Sequence, residues 1–229
     1  MSMDTEQYVH LLEGEYKERF EAYRALLLEY NERYNLTTIL EEKDMFYKHF
    51  LDSVLGEKCF KQGAKIIEIG SGAGFPSMPL KLIRDDLSFT LVESVGKKCE
   101  FLHAVVDKLG LKGVNIYSKR AEELAHDVIH RGKYDAAVAR AVARMNTLTE
   151  YCLPFVKVGG VFVAYKSGDV TEIDEAKNAY KVLGGKLGLV ERYQLPEGYG
   201  ERTLAVVEKV KPTPPKYPRG QGKERKSPL

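Results

Sequence analysis

Apolar residues in the first 34 positions recur every three or four residues, the spacing of one face of an α-helix. This pattern predicts a helix over residues 6–34, with Gly14 as a candidate interruption. The many tyrosines on this face favour packing against a core over stacking on a base. A second helical pattern covers residues 42–58, so we expect an N-terminal helical extension over residues 1–62.

From residue 63 the pattern changes to short apolar runs that alternate with helical stretches. The predicted strands are 64–69, 88–93, 114–118, 134–139 and 160–166, and the predicted helices are 77–84, 96–109, 121–131, 145–157 and 171–183. Strands separated by helices of this length form right-handed βαβ units, and therefore a parallel sheet covered on both faces. The runs 186–196 and 200–210 are too close together for a crossover and predict an antiparallel hairpin at the sheet edge.

The segment EIGSGAGFP follows the first predicted strand and places Gly70, Gly72 and Gly74 at alternate positions. Open α/β sheets bind ligands at the carboxyl ends of their strands. A Walker loop would need a lysine that this segment lacks, and the dinucleotide pattern would need glycine where Phe75 stands. Glu68 followed by alternate glycines instead resembles the first motif of S-adenosylmethionine-dependent methyltransferases. This resemblance makes Glu68, Gly70, Gly72 and Gly74 candidate cofactor-binding residues.

Glu93 ends the second predicted strand, where a carboxylate is placed to bond a ribose diol. S-adenosylmethionine has no phosphate, so it needs acids for its hydroxyls and ammonium group rather than the helix N-terminus that a pyrophosphate uses. A solvated carboxylate at the strand end is the alternative. The neighbouring glycine loop favours the ribose-binding role.

The composition argues against membrane, secreted, metal-binding and disulfide-rich classes of protein. No apolar run approaches the roughly 18 residues of a membrane-spanning helix, and the polar N-terminus is unlike a signal peptide. We therefore expect a cytoplasmic protein without a membrane partner. The three cysteines form no CxxC pair and no cluster with histidine, so we expect neither a metal site nor a disulfide framework.

Charge is distributed unevenly along the chain. Residues 211–229 carry six basic residues and one acidic residue, a net +5, which leaves −3 for the rest of a chain whose net charge is +2. This basic Pro/Gly-rich tail indicates an anionic partner. The alternatives are a disordered solubilising tail and a tail that docks on the body and supports the fold. Arg219, Arg225 and Lys226 are the candidate contacts to such an anionic partner, and Tyr217 could stack on a base if the partner is a nucleic acid. Because the predicted sheet is complete before residue 211, we expect the cofactor pocket to be independent of the tail.

Longer motifs carry a family resemblance. EIGSGAGFPSMPL, FTLVESVGKKCEFL, KRAEEL and YDAAVARAVA, flanked by NLTTI, HFLDSVL and YPRGQGKERKSPL, resemble the GidB/RsmG family of bacterial 16S ribosomal RNA guanine-N7 methyltransferases. The resemblance runs from about residue 31 to the C-terminus. One position departs from the family pattern, because Ser77 follows Pro76 where the family usually has glycine. Since Ser77 is expected inside a helix, we expect cofactor binding to survive the change.

The resemblance implies a Rossmann-like class I methyltransferase fold over residues 63–210, with a mostly parallel seven-stranded sheet and an antiparallel C-terminal hairpin. It implies S-adenosylmethionine as cofactor, and 16S ribosomal RNA or the small ribosomal subunit particle as partner. By the same resemblance, Gly70 and Phe75 would line the methionine side of the cofactor. Ala121 and Glu122 would frame the adenine, and Arg140 would reach the same pocket.

Guanine N7 has a lone pair and no proton, so its methylation needs alignment of donor and acceptor but no general base. Arg140 and Arg144 follow the fourth predicted strand and are candidates for positioning the guanine or a phosphate. A structural salt bridge is the alternative for Arg140. Lys166 is either a phosphate contact or a solvated lysine. His49 and Asp52, one helical turn apart, are either a packing pair or an RNA contact.

Two other classes of protein stay open at this point. One is a methyltransferase that acts on a small molecule, and the other is a non-catalytic nucleotide-binding regulator with the same fold. The basic tail favours RNA, because only RNA gains affinity from phosphate contacts. Titration with S-adenosylmethionine distinguishes the regulator from both kinds of methyltransferase, because the degenerate pocket of the regulator would not bind it.

Overall fold

The fold is centred on one seven-stranded sheet in a computed structural model that describes residues 5–168 and 170–229. The strands are β1 Lys65–Ile69, β2 Ser88–Glu93, β3 Val114–Ser118, β4 Tyr134–Arg140, β5 Val156–Ser167, β6 Gly185–Gln194 and β7 Glu201–Lys209. Their order is β3-β2-β1-β4-β5-β7-β6. Strands β1 to β5 pair in parallel, and β7 pairs antiparallel with both β5 and β6. The predicted mostly parallel sheet with an antiparallel C-terminal hairpin is confirmed.

The described helices cover both faces of the sheet. They are α1 Thr5–Glu13, α2 Lys17–Tyr34, α3 Glu42–Met45, α4 Asp52–Val54, α5 Ser77–Ile83, α6 Gly96–Lys108, α7 Ala121–Leu124, α8 Met145–Cys152, α9 Thr171–Glu175, α10 Lys177–Leu183 and α11 Lys223–Lys226. A π-helical segment, Phe46–Leu51, joins α3 to α4 into one continuous helical stretch. None of the helices in the described ranges is long and apolar enough to cross a membrane.

Several predicted helices are interrupted or shorter than expected; the one predicted over 171–183, for example, is divided into α9 and α10. The helix expected over residues 6–34 is broken between α1 and α2, at Gly14. The one expected over 145–157 ends at Cys152, because Pro154 has no N–H to continue the helix and restricts the residue before it. The one expected over 121–131 keeps only the four residues of α7. The chain then turns, and the Asp127 carboxylate accepts the N–H of Ile129.

Successive side chains of β1 point to opposite faces of the sheet, and each face has its own hydrophobic core. Ile66 packs with the N-terminal helices, α5 and α6. Ile67 packs on the other side of the sheet with α8, α10 and Tyr217 of the C-terminal tail. Tyr23 on α2 is fully buried, and its hydroxyl donates to the carbonyl of Ala73 in the glycine loop. The N-terminal helices therefore form part of the support for that loop.

Candidate cofactor and substrate site

Three adjoining cavities follow the carboxyl ends of the parallel strands. Cavity 1, about 340 Å³, lies over the ends of β1 and β2 and reaches α7. Cavity 2, about 400 Å³, lies over the glycine loop, and cavity 3, about 370 Å³, lies between the ends of β4 and β5. Gly70 and Glu93 line both cavities 1 and 2, while His49 and Arg140 line both cavities 2 and 3. The cavities thus form a continuous trough where ligands bind in open α/β sheets.

The three loop glycines all have positive φ, at 68° for Gly70, 56° for Gly72 and 89° for Gly74, but they face different surroundings. A Cβ on Gly72 would meet no atom nearer than the carbonyl oxygen of Gly70 at 3.9 Å, so this position faces the open space of cavity 2. A Cβ on Gly74 would come within 2.5 Å of the Met78 side chain, so Gly74 packs against the core. Gly70 and Gly72 line the trough, and Gly74 is needed for close packing beneath it.

Glu93 lies at the end of β2 and holds the loop in shape. One carboxylate oxygen accepts the N–H of Gly72 and the other accepts the N–H of Val95, both at 2.9 Å. The side chain is largely buried, yet it lines cavities 1 and 2. Since each carboxylate oxygen has a second lone pair, Glu93 can also accept a ligand hydroxyl.

Glu68 is placed under the loop rather than in the trough. It is fully buried on β1, one oxygen accepts the N–H of Ser77 at 3.2 Å, and the other has no hydrogen-bond partner within the described chain. Burial raises the pKa of Glu68 to about 8, and Ser77 and Arg140 oppose this shift only partly. Its predicted direct contact with the cofactor therefore finds no support in the geometry, because Glu68 does not line any of the three cavities.

Cavity 1 has walls from distant parts of the chain. Ala121 and Glu122, at the start of α7, form one wall, as the family resemblance implied. Tyr151 on α8 contributes to another, together with Gly222 and Arg225 from the C-terminal tail. The expectation that the pocket is complete before residue 211 is therefore wrong. The β-sheet alone leaves cavity 1 without the wall that the tail supplies.

Arg140 joins the sheet to the N-terminal helical stretch. Its guanidinium donates to the Asp52 carboxylate at 3.1 Å and to the carbonyl of Lys48 at 3.0 Å. It also lies over the Phe75 ring, 4.9 Å from the ring centroid. Only 13% of the Arg140 side chain is exposed. The structural salt bridge that the sequence left open is present, and Arg140 nevertheless lines cavities 2 and 3.

His49 is held neutral beside Arg140. Its Nδ1 accepts from the Arg140 guanidinium at 3.0 Å, so its Nε2 carries the proton and donates to the Thr37 hydroxyl at 2.9 Å. Burial, together with the charge of Arg140, lowers the pKa of His49 to about 3. Its ring stacks on Phe75 with centroids 4.3 Å apart. His49 therefore orients neighbours at the junction of cavities 2 and 3 and does not act as a base.

Cavity 3 has a mixed but mainly basic lining. Lys48, Arg140, Lys166 and Arg202 face the acids Asp52 and Glu172. Lys166 is not a solvated lysine, since its side chain is 9% exposed and pairs with Glu172 at 3.1 Å. Ala141, between cavities 2 and 3, has a φ of 56°, a strained conformation for a residue with a Cβ.

The remaining predicted RNA contacts fall into two groups. Arg144 and Lys226 are exposed, and Arg144 pairs with the exposed Glu175. Arg219 instead donates two hydrogen bonds to the carboxylate of the fully buried Glu150. The distances to the carboxylate oxygens are 2.9 Å from Nε and 2.7 Å from a terminal nitrogen. Its predicted phosphate contact is corrected on this ground, because the guanidinium is committed to an internal partner. Arg225 is exposed but lines cavity 1.

Sequence reasoning missed several residues of the trough. Val142 and Tyr151 line cavity 1, and Thr37 supports His49 from the N-terminal side. Thr37 and Val142 lie within the motifs NLTTI and YDAAVARAVA, but nothing in their residue types marks them as site residues. Tyr151 lies outside every motif, and the tertiary fold brings it to the site. Ala141 gave no signal either, since alanine with positive φ is not predictable from its residue type.

The trough fits S-adenosylmethionine by its shape and donor set. The open space beside Gly72 admits a ligand close to the backbone, where a branched side chain would block it. Cavities 1 and 2 meet at Glu93, which supplies an acceptor for ribose hydroxyls at that point. No group of His, Cys, Asp and Glu suited to a metal ion occurs among residues 5–168 and 170–229.

Solved structures with the same architecture define the class. An S-adenosylmethionine-dependent methyltransferase from Aquifex aeolicus superposes with a TM-score of 0.53, at 15% identity over 73% of this chain and 93% of that one. M. jannaschii TYW2 in complex with AdoMet gives a TM-score of 0.53, at 16% identity over 69% of this chain and 77% of that one. With the strand order and the trough, these likenesses define a class I methyltransferase fold.

Sequence comparisons identify the family within that class. The family model for GidB, rRNA small subunit methyltransferase G, matches residues 16–197. Ribosomal RNA small subunit methyltransferase G of Brevibacillus brevis is 47% identical over 93% of this chain and 91% of that protein. The protein of the same name from Lactobacillus acidophilus is 46% identical over 95% and 93%. The chain belongs to the GidB family of small subunit ribosomal RNA methyltransferases.

Proposed function

We propose that this protein transfers a methyl group from S-adenosylmethionine to N7 of a guanine in 16S ribosomal RNA. The observation that carries the proposal is the continuous trough, whose cofactor-sized part meets a basic cavity at His49 and Arg140. Family membership supports the reaction and the RNA substrate. Such a substrate implies action in the cytoplasm of a bacterium.

The residues of cavities 1 and 2 bind and orient the cofactor. Gly70 and Gly72 bring the backbone close to it, Glu93 accepts its ribose hydroxyls, and Ala121 with Glu122 frames its adenine. The Phe75 ring, packed against both His49 and Arg140, borders the methionine side. When bound, the cofactor supplies an electrophilic methyl group on a sulfonium.

The residues around cavity 3 position the guanine. N7 needs no deprotonation, so no residue has to take a proton, and neutral His49 is consistent with this. Arg140 is locked by Asp52 and Lys48, and this rigidity keeps its charge and its position fixed at the junction. The cations of cavity 3 favour a polyanionic substrate. Arg144, at the edge of this region, and Lys226 on the tail are the exposed candidates for phosphate contacts.

The test is transfer of a tritiated methyl group from S-adenosylmethionine to 16S RNA, followed by digestion to nucleosides. Both naked RNA and small ribosomal subunit particles that lack the modification serve as substrates. The expected product is 7-methylguanosine. Label in another nucleoside would overturn the proposed target atom, and label only in added small molecules would favour a small-molecule methyltransferase.

A further inference from the structure

The C-terminal tail is docked onto the body of the protein. The Arg219 guanidinium forms a two-pronged contact with Glu150 on α8, and the Arg219 backbone N–H donates to the same carboxylate at 2.9 Å. Glu150 has 1% of its side chain exposed, so it depends on this partner. The tail is thereby fixed to the helix that also carries Tyr151.

Further contacts hold the tail on either side of Arg219. Upstream, the guanidinium of Arg131 donates to the carbonyls of Thr213, Pro214 and Tyr217 at 2.8–3.1 Å. Downstream, the Thr147 hydroxyl donates to the carbonyl of Glu224 at 2.9 Å. Because attachments flank it on both sides, the segment between them has a defined path across the surface.

The docked tail carries Gly222 and Arg225 to cavity 1. Gly222 has a φ of 73° and directs the chain into α11. The Arg225 guanidinium lies 3.5 Å from the carbonyl oxygen of Val142, which lines the same cavity. The guanidinium also opposes the rise that burial causes in the pKa of Tyr151, which lines the same cavity. Arg225 therefore lines cavity 1 together with Ala121 and Glu122.

We propose that Arg225 is a cofactor-binding residue that positions the nucleoside end of S-adenosylmethionine, and that docking of the tail and cofactor binding stabilise each other. The inference rests on the proposed function. Cavity 1 lies at the end of the trough away from cavity 3, so it takes the part of the cofactor that does not face the substrate. A guanidinium is suited to this place, because it can stack on an adenine ring and donate to its nitrogens or to a ribose hydroxyl.

Coupling between tail docking and cofactor binding follows because the tail and the cofactor meet at Arg225. If the cofactor contacts Arg225 only when the tail is docked, the cofactor favours the docked state, and docking raises cofactor affinity by the same factor. The matched family model ends at residue 197, before the tail begins. Arg225 would thus add a cofactor contact to a site otherwise built from the sheet and its loops.

The first test compares Arg225→Ala with Lys223→Ala, which removes the same charge from the same helix but does not line cavity 1. Calorimetry measures binding of S-adenosylhomocysteine and of 5′-methylthioadenosine, which lacks the amino-acid end. Arg225→Ala is expected to weaken both ligands by the same factor, roughly tenfold, the usual worth of one hydrogen bond to a charged group. Lys223→Ala should leave both affinities unchanged. The melting temperature without ligand should be near normal in both variants, because the contact between Arg219 and Glu150 remains.

The second test measures trypsin cleavage within residues 216–226, with and without saturating S-adenosylhomocysteine. The ligand should slow cleavage in the wild-type protein and in Lys223→Ala, and should protect Arg225→Ala much less. Equal affinities in wild type and Arg225→Ala, or equal protection, would overturn the inference while leaving the proposed function intact. A wild-type protein that binds neither ligand would overturn both.

Discussion

At the scale of single residues, the glycine loop shows how similar positions acquire different roles. Gly72 and Gly74 share positive φ, but only Gly72 has open space where a Cβ would stand. The sequence could predict that the loop approaches a ligand, from its glycines and its place after β1. It could not predict which glycine faces the ligand, because that depends on Met78 and Tyr23, which contact the loop from other helices.

The first prediction concerns Gly72→Val, with Gly72→Ala as its control. Both variants place a side chain at a positive φ and should lose a similar stability, about 1–2 kcal/mol. The branched valine additionally fills the space beside the loop. We expect calorimetry to show loss of S-adenosylhomocysteine binding in Gly72→Val and a much smaller loss in Gly72→Ala. Similar affinities for the two variants would show that Gly72 does not face the cofactor.

The second prediction concerns the buried carboxyl of Glu68, whose pKa is raised to about 8 by burial. Between its ordinary pKa and about 8, the folded protein binds more protons at Glu68 than the unfolded chain does. Stability therefore falls as pH rises through this window. Glu68→Gln, a neutral isostere, should unfold at higher denaturant than wild type at pH 8.5 and differ less at pH 5.5. An equal difference at both pH values would contradict the raised pKa.

At the scale of elements, the sequence predicts the strands well and the helix ends poorly. The prediction for β2 and β3 matches the observed bounds, because each is a short strand-like run bounded by turn residues. Helix α7 is much shorter than its pattern predicts, since tertiary contacts override propensity there. Arg131, expected to continue this helix, instead turns back and donates to the carbonyl of Ala125.

The third prediction tests how the tail is attached to α8. Arg219→Ala leaves the buried Glu150 carboxylate without its cation, which should cost about 3 kcal/mol, the low end for a broken buried pair. The low end applies because 23% of the Arg219 side chain is exposed. Adding Glu150→Gln to this variant should recover part of the stability, as measured by thermal or chemical unfolding. If the double variant is no more stable than Arg219→Ala, the buried charge is not the source of the loss.

At the scale of the whole molecule, the site is assembled from three regions of the chain. The N-terminal helices supply His49, the sheet supplies the glycine loop and Arg140, and the tail supplies Arg225. Sequence motifs could locate the middle region because its loop chemistry is local. The contribution of the tail could not be inferred, because its basic residues look alike in sequence and only packing separates Arg219 from Lys226.

The fourth prediction tests RNA binding with basic residues that packing leaves exposed. Arg144→Ala and Lys226→Ala should each lower RNA affinity and reduce the slope of log K against log salt by roughly 0.7–0.9 per lost phosphate contact. Cofactor affinity should be unchanged. Lys17→Ala, which removes the same charge from the exposed start of α2, is the control. An unchanged slope in both test variants would place the RNA elsewhere on the protein.

The insertion of β7 between β5 and β6 has a consequence for synthesis on the ribosome. Strand β5 pairs with β4 on one side, and its other edge pairs with residues 202–208 of β7. A nascent chain emerging from its N-terminus therefore presents a long, apolar, unpaired edge until β7 has been made. Such edges invite pairing with other chains. The growing polypeptide is thus most vulnerable to aggregation late in translation, after most of its hydrophobic core can already form.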